Sequence, residues 1–124
     1  MTVLIVEDDT FLQDVLSTKL KSLHLTVAIA ENGKQALRLM REEKPGLVLL
    51  DLVMPDMDGF ELLTRIKQDK TIAHTPVVVL SNLADEVDIE RARKLGAKDY
   101  LVKAHYTPSQ IIERIGHFLP RAAR

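Results

Sequence analysis

The stretch Leu47-Val48-Leu49-Leu50-Asp51-Leu52-Val53-Met54-Pro55-Asp56-Met57-Asp58-Gly59 opens on an unbroken apolar run that ends abruptly on a carboxylate. Such a run reads as a strand buried on both faces, the situation of a parallel sheet covered by helices on each side. A carboxylate directly after four buried residues is costly to place for packing reasons alone. Asp56 to Gly59 then read as a turn. Three other short apolar runs end in the same manner, on Glu7-Asp8, on Ser81 and on Lys103. If all four are strands of one parallel sheet, their carboxyl ends bring an acidic pair, a lone carboxylate, a hydroxyl and an ammonium to one edge. That edge is where open α/β sheets bind ligands and carry out reactions.

Outward from this stretch the chain alternates two periods. Strands are predicted at Val3–Val6, Thr26–Ala30, Leu47–Leu50, Val77–Leu80 and Tyr100–Val102. Between them Leu12, Val15, Leu16, Leu20 and Leu23 recur at helical spacing, as do Phe60, Leu63 and Ile66, and later Ile111, Ile112, Ile115, Phe118 and Leu119. The punctuation agrees with this reading. Asn32-Gly33-Lys34-Gln35 can cap a helix reciprocally, Thr107-Pro108-Ser109-Gln110 does so with proline at the first helical position, and Gly96 can close a helix starting near Asp85. These β-α repeats in 124 residues favour a doubly wound sheet; a closed eightfold barrel would need about twice the length.

Composition bounds the rest. A chain of 124 residues, 46% of them hydrophobic, fills one core. Seventeen Lys and Arg against 18 Asp and Glu leave no basic footprint for nucleic acid or a membrane surface. With no cysteine, the fold does not depend on disulfides or thiolate metal sites. No signal-like start and no apolar run long enough to span a bilayer is present. The expectation is a soluble, cytoplasmic protein that contacts neither nucleic acid nor membrane directly.

At the sheet edge, Glu7 and Asp8 would repel each other in a low-dielectric cleft unless Lys103 or a cation sat between them. A hard divalent ion such as Mg2+ suits such a site, since it needs few carboxylates and keeps several waters. Plainer readings exist for each residue. Asp8 or Asp9 could cap the helix starting near Thr10, Lys103 could be a solvated strand-end lysine, and Ser81 and Asn82 could be turn caps. Tyr100 reads equally as a core aromatic with a surface hydroxyl or as a moving part. His24, His74, His105 and His117 have no metal-ligand spacing and read as surface or turn residues.

The set Val6-Glu7-Asp8-Asp9, Leu50-Asp51-Leu52-Val53-Met54-Pro55-Asp56-Met57-Asp58-Gly59, Val79-Leu80-Ser81-Asn82 and Gly96-Ala97-Lys98-Asp99-Tyr100-Leu101-Val102-Lys103 resembles the receiver domain of two-component response regulators of the CheY type, over essentially the whole chain. The resemblance implies a flavodoxin-like five-stranded parallel sheet of order 2-1-3-4-5, with Asp51 as phosphoryl acceptor. It implies Mg2+ held by Asp8, Asp51 and the Val53 carbonyl, with Glu7 acting directly or through water. Lys103 and Ser81 would assist catalysis, and Ser81 and Tyr100 would form a switch. The donor would be a phosphohistidine on a sensor histidine kinase or histidine phosphotransfer protein. Such a domain catalyses its own phosphorylation and dephosphorylation as a signalling module rather than an enzyme. A downstream protein would bind the face of the fourth helix, last strand and last helix, with Arg91, Lys94, Lys98, Asp99 and Arg114 as its default residues. Residues 1–120 are expected to form the receiver, followed by a short tail at 121–124 with no effector domain.

Departures from the family pattern carry expectations of their own. Ala104 stands where a cis proline usually follows the lysine, so a trans Lys103-Ala104 bond and a rearranged loop through Tyr106 are expected. Asn82 replaces a small residue and narrows access to the phosphoryl group. Val53 and Leu83, both apolar, should position an attacking water poorly, giving a long-lived phosphorylated state. Other functions fit less well. No Gly-rich phosphate loop follows Val6, which weighs against a flavin or nucleotide site, and a haloacid-dehalogenase-type phosphatase would want a carboxylate where Val53 stands. A degenerate receiver binding partners without phosphorylation is the alternative.

Overall fold

The computed structural model describes residues 1–123. Strands β1 (Thr2–Val6), β2 (Thr26–Ala30), β3 (Leu47–Leu50), β4 (Val77–Ser81) and β5 (Asp99–Val102) alternate with helices α1 (Thr10–Ser22), α2 (Gly33–Glu43), α3 (Gly59–Gln68), α4 (Glu86–Lys94) and α5 (Pro108–Arg114). All strand pairs are parallel and the order is β2-β1-β3-β4-β5, a flavodoxin-like sheet. Every predicted strand lies within an observed one.

Because side chains alternate across a strand, each central run feeds two cores. Leu4, Val6, Val48, Leu50, Val77 and Val79 face α2, α3 and α4. Val3, Ile5, Leu47, Leu49, Val78 and Leu80 face α1 and α5. This double burial is why the runs are continuous rather than alternating with polar residues. It also pins the register, since a slip of one residue would exchange the two cores.

The predicted caps are largely present. Asp9 caps α1 by accepting the N–H groups of Phe11 and Leu12, and Thr107 and Gln110 form the full capping box of α5. Asn32 accepts the Gln35 N–H, but Gln35 reaches back to the Glu31 N–H, one residue before the cap. Gly96 ends the α4 region at φ +105°. The last helix is shorter than its apolar spacing implies. It stops at Arg114, and a 3-10 turn at Gly116–Phe118 carries Phe118 and Leu119 back to the core, because glycine disfavours helix continuation. Among the described residues there is no cis peptide bond, so Lys103-Ala104 is trans, and Lys103–His105 form a 3-10 turn. Among the described residues no helix is long and apolar enough to cross a membrane.

Candidate functional site

Four strand ends converge as the sequence implies. Glu7 follows β1, Asp51 follows β3, Ser81 ends β4 and Lys103 follows β5. Glu7, Asp51 and Ser81 are buried, and Asp8 is exposed at the mouth. Lys103 Nζ lies 2.5 Å from Glu7 Oε1 and 3.1 Å from Asp51 Oδ2, so a single ammonium bridges two buried carboxylates. Apart from that ion pair, Glu7 Oε1 has no hydrogen-bond partner. The other Glu7 oxygen accepts the Asp9 N–H at 3.1 Å.

The electrostatics are those of a crowded acidic cleft. Burial pushes the Glu7 carboxyl above its ordinary range; Lys103 and the Asp9 N–H oppose the rise, and the charge of Asp51 adds to it. Burial also works against the Lys103 ammonium, yet Glu7 and Asp51 outweigh it and leave the lysine more firmly protonated than usual. Glu7, Asp8 and Asp51 each bring a carboxylate oxygen within 4.8 Å of the others, an acidic triad able to hold a metal. An all-oxygen set with one buried oxygen short of donors fits a hard divalent ion.

The loops carrying these groups are shaped locally. The Gly59 N–H donates to the Leu52 carbonyl at 2.9 Å, and a Cβ on Gly59 would fall 2.3 Å from the Leu52 Cα, so only glycine allows this approach. Asp58 caps α3 through the Phe60 N–H. The Val53 N–H donates to Asp51 Oδ1 at 3.1 Å, while its side chain is 57% exposed.

Ser81 Oγ accepts the Leu83 N–H at 3.3 Å, and the Tyr100 hydroxyl donates to the Leu83 carbonyl at 2.6 Å. Tyr100 is therefore a buried aromatic with its hydroxyl turned inward rather than at the surface. Burial raises its pKa; the nearby Ser81 hydroxyl opposes the rise, and Asp88 and Asp51 reinforce it. All four histidines are exposed and none joins the acidic triad.

Two residues at the site went unread in the sequence. Gln13 is buried on α1 and its Nε2 donates to the Glu7 carbonyl at 2.5 Å, fixing the first acidic loop. A polar residue in the inward stripe with Leu16 and Leu20 was the available signal. Asp56, read only as part of a turn, accepts N–H groups from α2. Four of the expected partner residues engage neighbouring side chains. The Arg91 guanidinium lies 4.2 Å from the centre of the Phe60 ring on α3. Lys98 is close enough to Lys67 that its charge, after burial, helps depress that ammonium. Asp99 and Arg114 pair with each other at 3.0 Å.

The family model for the response regulator receiver domain matches residues 3–116. A probable transcriptional regulator ycf27 of Guillardia theta is 35% identical over 96% of this chain and 45% of its own length. The chain spans about half the length of most curated relatives it matches. The BeF3-activated receiver domain of Klebsiella pneumoniae RstA superposes with a TM-score of 0.86 at 26% identity, covering 98% of this chain and 100% of that one. The Mn2+-bound form of response regulator Rcp1 superposes with a TM-score of 0.82 at 29% identity, covering 94% of this chain and 92% of that one.

Proposed function

The chain belongs to the response regulator receiver family, and from that membership we propose that Asp51 accepts a phosphoryl group from a phosphohistidine on a sensor histidine kinase or histidine phosphotransfer protein. The observation that carries this reading is the placement of Asp51: a buried carboxylate at a strand end, held by Lys103 at 3.1 Å and grouped with Glu7 and Asp8.

Glu7, Asp8, Asp51 and the Val53 carbonyl would hold Mg2+, which when bound supplies positive charge to the transferring phosphoryl group. The work of the chain itself is positioning and electrostatics. An Asp51 carboxylate oxygen attacks phosphorus. The new O–P bond forms as the P–N bond to the donor imidazole breaks, and that bond's electron pair returns to the ring nitrogen, which takes a proton from solvent. Lys103 pairs with Asp51 beforehand and with a phosphoryl oxygen afterwards. The Ser81 hydroxyl, which accepts a bond from Leu83 in this state, turns its own proton to another phosphoryl oxygen.

Readout is a population shift. Drawing Ser81 toward the phosphoryl group removes its bond to the Leu83 N–H, and the same loop segment is tied to Tyr100 through the Leu83 carbonyl. A change at Asp51 thereby reaches β5 and the adjoining surface, where Asp99, Tyr106 and Arg114 are linked. A protein target reading that surface would sense the phosphorylated state. The receiver unit in this reading is residues 1–120.

Acetyl phosphate or phosphoramidate with Mg2+ should add a single phosphoryl group to the protein, seen by intact mass. Asp51→Asn and chelation of the metal should each abolish it. Phosphorylation that persists in Asp51→Asn would remove Asp51 as acceptor.

A further inference from the structure

We propose that Asp56 is a positioning residue for the metal-binding loop, clamping the segment that carries Val53 to the amino terminus of α2. The inference rests on the reading that the Val53 carbonyl is a metal ligand. Asp56 Oδ1 accepts the Gly33 N–H at 2.8 Å and Oδ2 accepts the Lys34 N–H at 3.3 Å, across 22 to 23 residues of sequence. These are donors of the first turn of α2, which has no acidic residue of its own there. Asn32 takes the Gln35 N–H at 2.9 Å, so the helix divides its free donors between a local cap and a distant one. The partial positive charge of the helix end favours the carboxylate. The bond from Gly33 holds the Asp56 carboxyl below its ordinary range; burial opposes it, and the bond from Lys34 adds to the lowering. Met57 seats the same contact: a Cβ on Gly33 would lie 2.9 Å from its sulfur.

The other end of the segment is fixed by the Gly59 N–H on the Leu52 carbonyl. Val53, Met54 and Pro55 lie between these two anchors. Val53 has a largely exposed side chain, and its N–H donates to Asp51 itself, the group whose state changes in the reaction. The position of its carbonyl is therefore set from outside the cleft, by Leu52 on one side and Asp56 on the other. A residue that merely capped α2 would support the helix without affecting the cleft, and the two roles separate experimentally.

The test compares wild type, Asp56→Ala and Asp56→Asn by Mg2+ calorimetry, by amide hydrogen exchange, and by thermal melting in chelator. Asp56→Ala should weaken Mg2+ binding roughly tenfold, the lower end of what loss of an outer-shell support does. Exchange at the Val53, Met54 and Met57 amides should accelerate while that of the β-strand core is unchanged. Asp56→Asn, which keeps one acceptor, should fall between, and it stands in if the alanine variant does not fold. Unchanged Mg2+ affinity in both variants, in a protein whose Mg2+ binding is lost in Asp51→Asn, would overturn the inference alone. A wild type that binds no Mg2+ would overturn the metal reading and this inference with it.

Discussion

Lys103 and Glu7 meet at 2.5 Å across the sheet, although β5 and β1 are separated by β3 and β4. The same ammonium reaches Asp51, so in the absence of metal it is the cation nearest to two buried carboxylates. Lys103→Met should therefore destabilise the metal-free protein by about 3 kcal/mol, the low end for breaking a buried pair because the lysine side chain is 17% exposed. Urea unfolding in chelator would measure this loss. Millimolar Mg2+ should recover part of it, and an unchanged midpoint in chelator would contradict the bridging role.

The acidic cleft also sets a pH dependence. The Glu7 pKa in the fold is raised above 4.5, so the protonated form is favoured by folding. Its contribution is present below that value and is lost as pH rises through the folded pKa. In chelator, the stability of wild type relative to Glu7→Gln should therefore decline as pH increases from below 4.5 toward neutrality. Asp51→Asn should likewise stabilise the metal-free protein, by removing a like charge. Mg2+ held by the acidic triad would bind only the native state, so it should raise the melting temperature of wild type and do little for Asp51→Asn. A gap between wild type and Glu7→Gln that does not change with pH would contradict this account.

Tyr100→Phe removes the hydroxyl that the Leu83 carbonyl accepts, at a cost of about 1 kcal/mol. Its larger effect should be on coupling. The variant should still be phosphorylated at Asp51, while the chemical-shift change that phosphorylation produces in β5 and α5 shrinks. Ser81→Ala should behave in the same way, since the hydroxyl binds the transferred group more than it assists attack. Full propagation of the shift change in both variants would separate Tyr100 and Ser81 from the switch.

The acyl phosphate should be long-lived, over many minutes or more. Val53 and Leu83 stand two residues beyond Asp51 and Ser81, and their side chains have no polar atom to orient water. Val53 is exposed, so water reaches it but is not held. Val53→Asn should shorten the lifetime, and intact-mass spectra taken over time would follow it. Loss of the group from wild type within seconds would refute the argument.

The strands, their parallel order and the gathering of Glu7, Asp51, Ser81 and Lys103 at one edge were legible because burial on both faces leaves continuous apolar runs that end where the sheet ends. The caps at Asp9, Asn32 and Thr107 were legible for a related reason: they join residues only a few positions apart, and residue type nearly fixes such geometry. The length of α5 was not. Its apolar spacing continues past Gly116, and because glycine disfavours a helix there by only about 1 kcal/mol, packing also decides whether that spacing is met by a helix or by a 3-10 turn.

The sequence by itself determined which chemical groups meet at the sheet edge, since strand-end positions follow from hydrophobic periodicity. Only the tertiary structure decided how they are joined. Lys103 bridging Glu7 and Asp51 joins side chains at the ends of different strands, while Tyr100 turned inward to Leu83, Gln13 holding Glu7 and Asp56 reaching α2 join side chains to backbone elsewhere in the chain. Their partners are set by the twist and packing of whole elements. Apart from Gln13, a polar residue in an apolar stripe, no local pattern marks them, because periodicity encodes which face a residue occupies and not which partner it meets there.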